Sequence, residues 1–175
     1  MHTSPLNCIC LFLCITSCEI KSSSETTVES QEDVQARIIS QKDIENLRYT
    51  EFELSSTSEE AVADWQKFQE LRNQTNFLKK ADLNFFSGER LLLTTFFQEL
   101  TVEMPQQLQT NEIMARMVVL DTKAQKLNGL LRLDNISKED QVQAIKEYLI
   151  AISNLKLQIN KKFEYDKNSA LIKDF

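Results

Sequence analysis

Between Thr57 and Phe163, large apolar side chains return every three or four residues in four separate stretches, and only a helix gathers such positions on one face. The clearest stretch is Ile113, Met117, Leu120, Ala124, Leu127 and Leu131, stepping 4, 3, 4, 3, 4 along the chain. With about 3.6 residues per turn, those six form one seam suited to packing between helices. Val62, Trp65, Phe68, Leu71, Thr75 and Leu78 form a second seam, predicting a helix from a Thr57/Glu60 capping box to about Lys80. Leu93, Phe96 or Phe97, Leu100 and Met104 predict a third helix over 89–103. Pro105 ends it, because proline lacks an N–H and its ring clashes with the preceding turn. Val142, Ile145, Leu149, Ile152, Leu155, Ile159 and Phe163 predict the longest helix, from Lys138 to about Asp166, capped by Ser137 with Asp140.

Breakers between the seams are short. Asp82 to Gly88 interrupts the pattern, with Ser87 a candidate N-cap, and Asp134-Asn135 makes the last turn; Gly129 falls inside or near the end of its helix. Two Gly and two Pro in 175 residues are too few for the turns of a sandwich or barrel. Short connections favour antiparallel neighbours. The expected fold is therefore all-α, an antiparallel bundle of about four helices over residues 57–167, with a C-terminal tail at 168–175.

The region before the bundle reads differently. Ser40 with Asp43 starts a short helix through Leu47, and Tyr49 to Leu54 alternates apolar with polar as an extended strap would, giving a unit over 40–56. Residues 18–39 are polar, acidic and poor in large apolar groups, the composition of a flexible, disordered tether. Four basic residues stand against nine acidic ones over 18–56, whereas the remainder is nearly balanced. No basic stripe exists to neutralise phosphates, so nucleic acid is not an expected partner.

All four cysteines, Cys8, Cys10, Cys14 and Cys18, lie within the first 18 residues, embedded in or just after the apolar run from Leu6 to Ile15. Their spacing matches no usual zinc pattern, and the run is too short to span a bilayer but long enough for a signal-peptide core. It ends in Ile15-Thr16-Ser17-Cys18. This resembles the lipobox of bacterial lipoproteins: an aliphatic residue, two small ones, then cysteine. Met1 to Pro5 supply no Lys or Arg, a departure from the usual basic start that leaves two readings: a start placed elsewhere, or an α-amino group that supplies the only charge. The resemblance implies a signal peptide at 1–17, removal of that segment, and acylation of Cys18 as the first mature residue. Three further stretches, Tyr49-Thr50-Glu51-Phe52, Trp65 to Leu71 and Ser153 to Phe163, resemble uncharacterised helical lipoproteins of the Bacteroidota. That similarity implies an address in the cell envelope, the outer membrane before the inner, with the domain in the periplasm or at the cell surface. It implies no mechanism.

Chemistry is limited by what is missing after Cys18. The only histidine is His2, so beyond a cleaved signal the commonest general base and zinc ligand are gone. Gly88 and Gly129 alone cannot build a phosphate-cradling loop. Glu99 and Glu103 stand one turn apart, as do Glu60 and Asp64; each pair would share a helix face, as a metal or acid/base pair requires. The Glu-x-x-His of ferritin-like di-metal bundles is absent, so both pairs read as solvated faces. The sequons Asn73-Gln74-Thr75 and Asn135-Ile136-Ser137 read as chance matches, Thr75 lying on an inward seam. The expectation is a non-enzymatic module without cofactor or metal, anchored to the membrane by its lipid, that binds another envelope protein. The alternative is a small apolar ligand held inside the bundle, in a pocket lined by Phe and Met.

Overall fold

The computed structural model describes residues 38–173. The fold is all-α: among these residues there are α1 (Gln41–Glu45), α2 (Ser56–Val62), α3 (Gln66–Lys79), α4 (Asn84–Ser87), α5 (Arg90–Val102), a 3-10 turn (Gln106–Leu108), α6 (Asn111–Leu131) and α7 (Lys138–Lys173), and no strand. Seven helices are described where the sequence led to a bundle of about four and one short helix before it; three of the seven are short.

The structural centre is the hairpin of α6 and α7. Gln141 Nε2 donates to the Leu130 carbonyl at 3.1 Å. Lys126 and Lys123 both reach Glu147 at 2.9 Å. Contacts that descend one helix as they climb the other define an antiparallel pair. Ile113, Leu120, Leu127, Ile145, Leu155 and Ile159 are fully buried along it. Leu131, last of its seam, and Val142 and Phe163 are only partly buried. The remaining helices cover this hairpin, α5 and α4 lying against α6, and α1 and α2 against α7. Lys138 in the first turn of α7 pairs with Asp43 at 2.8 Å, and that contact holds the Asp43 carboxyl well below the usual carboxylate range.

The expected helix from Thr57 to Lys80 is broken in two. Ser55, not Thr57, caps α2, its hydroxyl accepting from the Ser58 N–H. Trp65 then leaves helical geometry, at φ −82° and ψ 83°. Its indole stacks on Phe68 at 4.8 Å, and Nε1 donates to the Leu100 carbonyl at 2.9 Å. The break stays satisfied because side chains take its loose ends. Gln69 Nε2 donates to the Val62 carbonyl, and Glu103 accepts from the Lys67 N–H at 3.1 Å. All six residues of the expected seam, Val62 to Leu78, are nevertheless buried.

Other boundaries move for local reasons. Ser87 ends α4 instead of capping α5, whose N-cap is Glu89. The α7 helix runs beyond Asp166, so the expected tail is helical through Lys173; no Gly or Pro stops it. Ile39, assigned to the tether, is 6% exposed and joins the core. Ser40 and Asp43 do form the expected capping box, although α1 stops at Glu45 rather than Leu47.

The strap also forms, without a strand. Its backbone groups are taken by one polar face of α7 at spacings of three and four residues. Ser153 Oγ accepts from the Phe52 N–H at 2.7 Å and donates to the Thr50 carbonyl at 3.0 Å. Asn160 accepts from the Ser55 N–H at 2.9 Å and donates to the Glu53 carbonyl at 2.8 Å. Between them, Lys156 pairs with Glu53 at 2.8 Å.

Candidate functional site

The two carboxylate pairs, read from the sequence as solvated faces, meet different surroundings. Glu99 Oε2 lies 2.9 Å from Lys67 Nζ, and Glu103 accepts the Lys67 backbone N–H. One turn of acidic side chains on α5 thus grips both the ammonium and the backbone of a single α3 residue. The hydrogen bond to Glu99, then that to Glu70, raises the Lys67 pKa. Glu60 and Asp64 are exposed at the α2 end. Among the described residues, no group of three or more His, Cys, Asp or Glu could hold a metal ion.

A recess walled by apolar side chains lies beside this grip, between α4 and α5. Phe85, Leu92, Leu93 and Phe96 form its walls with Asn84 and Gly88, enclosing about 450 Å³ open to solvent. Lys67, Glu89 and Glu99 give it a charged rim. Phe85 and Phe96 meet edge to face at 5.0 Å, and Lys67 Nζ sits 5.1 Å from the Phe96 ring centre. Leu92 stands at the lip, 67% exposed.

Asn128 holds that corner in place. Fully buried on α6, its Nδ2 donates to the Phe86 carbonyl at 2.8 Å and the Gly88 carbonyl at 2.9 Å. Those carbonyls belong to the end of α4 and would otherwise lack partners. Seam spacing does not single out Asn128, whose one signal in the sequence is a polar residue directly after the inward Leu127. Tyr148 stands beside the α7 seam, one residue before Leu149. It is fully buried, packs on Phe86 at 4.6 Å, and its hydroxyl lies 2.8 Å from Thr75 Oγ1. Thr75 donates to the Leu71 carbonyl, so the tyrosine hydroxyl is the donor between them. Burial raises the Tyr148 pKa. The hydroxyls of both sequons therefore have structural duties: Thr75 in this buried pair, and Ser137 accepting from the Asp140 N–H at the start of α7.

Two other hollows are walled mostly by polar and charged side chains. One of about 680 Å³ lies along the end of α7 beside Thr110 and Glu112, its walls carrying Lys161, Lys162, Glu164 and Tyr165. Another of about 200 Å³ lies under the strap, where Arg72, Lys79 and Lys156 point in. Each of those cations already holds a carboxylate, Glu59, Glu51 and Glu53 respectively. Of the recesses described, the α4–α5 groove has the apolar walls that a binding site needs. It is an open surface groove lined by two Phe and no Met, while Phe68, Phe97 and Met117 are buried in the core.

The expected lipidation site, Cys18, lies outside the described residues, as do the signal segment and nearly all of the tether. Comparison of the chain with family models, curated proteins and solved structures gave no match.

Proposed function

We propose that the chain is a lipid-anchored protein of the bacterial cell envelope, attached through Cys18, whose helical domain is a non-enzymatic module binding another envelope protein. The observation that carries the proposal is Ile15-Thr16-Ser17-Cys18, placed directly after an apolar core and before a polar, acidic stretch. Acyl chains at one thiol hold a protein firmly when there are two or more, each buried methylene contributing about 0.8 kcal/mol. No helix among the described residues is long and apolar enough to cross a membrane. The binding role rests on the α4–α5 groove, where Leu92, Leu93, Phe85 and Phe96 offer a seat for an apolar side chain inside a charged rim.

Replacing Cys18 with Ser tests the anchor. The variant should move from the membrane fraction to the soluble fraction of its native host, and unchanged partitioning would reject the attachment. A photo-crosslinking residue at Leu92 tests the groove. It should yield a discrete protein adduct in cells that the same probe at exposed Glu139 does not. The groove also supports a second reading, a small apolar ligand, since about 450 Å³ suits such molecules. A lipid or other small molecule copurifying with the parent chain but not with Phe85→Asp would favour it over the protein partner.

A further inference from the structure

We infer that the protein segment seated in the α4–α5 groove is basic as well as apolar: an apolar side chain flanked by Arg or Lys. This names the partner's chemistry for the groove of the proposed function and rests on that reading.

Along one face of α5 and its caps, Glu89, Leu92, Phe96, Glu99 and Glu103 recur at 3, 4, 3, 4. That face is apolar in its middle and acidic at both ends, and its first four residues line the groove. The two ends differ. At the far end, Glu99 and Glu70 hold the Lys67 ammonium at 2.9 and 3.3 Å, and Glu103 accepts the Lys67 N–H. The same ammonium lies against the Phe96 ring, so the chain supplies its own cation to that wall. At the near end, Glu89 is exposed, does not cap α5, and has no ion pair among the described residues. The next cation, Arg90, stands about 100° round the helix and is not part of the groove wall. Four carboxylates (Glu70, Glu89, Glu99 and Glu103) thus surround a recess that holds one ammonium, Lys67.

That excess of negative charge selects the occupant, because complementary charge steers the right partner in and like charge keeps others out. The chain's own residues 19–37 hold five acidic residues against two basic ones and would be repelled. A fatty acid or an anionic headgroup would meet the same repulsion. A segment carrying cations gains at Glu89, where the chain offers none, while its apolar side chain takes the place between Phe85, Leu92 and Phe96. The walls are set beforehand: Asn128 holds the Phe86 and Gly88 carbonyls, and Gly88 directly precedes Glu89. Docking therefore orders little of the protein itself. Ten residues of helix put Glu89 about 15 Å from Glu99. An extended segment covers that distance in about five residues, at about 3.3 Å each, which sets the spacing of its two cations.

Two dye-labelled peptides with blocked ends test this, Arg-Gly-Leu-Leu-Gly-Arg and Glu-Gly-Leu-Leu-Gly-Glu. Fluorescence anisotropy follows their binding to the full-length chain in phosphatidylcholine nanodiscs, where no free detergent competes for the groove. At low ionic strength the arginine peptide should bind at least about tenfold tighter, since two exposed attractive pairs become two repulsive ones. The gap should narrow as salt is raised. Glu89→Lys removes no cap bond and should cut the preference at least about threefold. Leu92→Ser, at the exposed lip, should weaken both peptides alike. Circular dichroism verifies folding of both variants. Equal affinity for the two peptides, lost with Leu92→Ser, would overturn the charge proposal and leave the groove reading standing. An arginine preference that survives both substitutions would also overturn it. Binding of neither peptide would overturn both readings, and calorimetric binding of octanol in that case would assign the groove to a small apolar ligand. Self-association of the parent that Glu89→Lys abolishes would assign it to a second copy and overturn the proposal too.

Discussion

Glu147 shows how one side chain can serve two helices at once. Hydrogen bonds from Lys126 and then Lys123 bring its pKa down to about 2, from an ordinary 4.5. A carboxylate with a depressed folded-state pKa contributes stability that is complete above its unfolded value. That contribution is lost as pH falls through the folded one. Glu147→Gln should therefore destabilise the domain at neutral pH, by about 0.5 kcal/mol once solvent screening of the partly exposed lysines is counted. The gap between parent and variant should shrink from about pH 4.5 downward and close near pH 2, as urea melts across that range would measure. The two lysines and the acid are 21 and 24 residues apart in the chain. Their meeting was invisible to spacing rules that compare one helix with itself.

At the scale of elements, two positions carry each other's residue. Ala81 closes α3 in the left-handed region at φ 64°, with the Asp82 N–H bonded to the Phe77 carbonyl and the Ala81 N–H to that of Leu78. This is the Schellman end that glycine normally occupies, and a Cβ costs about 1 kcal/mol there. Gly129 sits inside α6, where a Cβ would meet nothing within 4 Å. Ala81→Gly and Gly129→Ala should each stabilise the fold by roughly 0.5–1 kcal/mol, and the double variant should add their effects in a thermal melt. The seams themselves were legible from the sequence: five of the six α6 positions are buried, and Leu131 is partly so. Boundaries were less so. The break at Trp65 depends on a carbonyl of α5 and on Glu103, neither of which a local window contains.

Across the whole molecule the strap has the longest reach, joining residues near one end of the described chain to α7 at sequence separations of 101 to 107. Ser153 is 2% exposed and satisfies one donor and one acceptor of the strap. Ser153→Ala should leave both without partners, cost about 1–3 kcal/mol, and speed hydrogen exchange at the Phe52 amide. An unchanged exchange rate there would show that the strap is held by its ion pairs instead. Long-range bonds of this kind also explain why the candidate groove could not be read from the chain. Its walls come from α4 and α5, and the buried amide that fixes their corner comes from α6.

The sequence alone determined that the domain is helical and which faces turn inward, because a period near 3.6 is a property of consecutive residues. The resemblance of Ile15-Thr16-Ser17-Cys18 to a lipobox is likewise a matter of consecutive residues. Only the tertiary structure decided where the first long helix breaks, which polar groups may be buried, and how the groove between α4 and α5 is held. Each of those depends on a partner dozens of residues away, and periodicity contains no information about which helix will arrive.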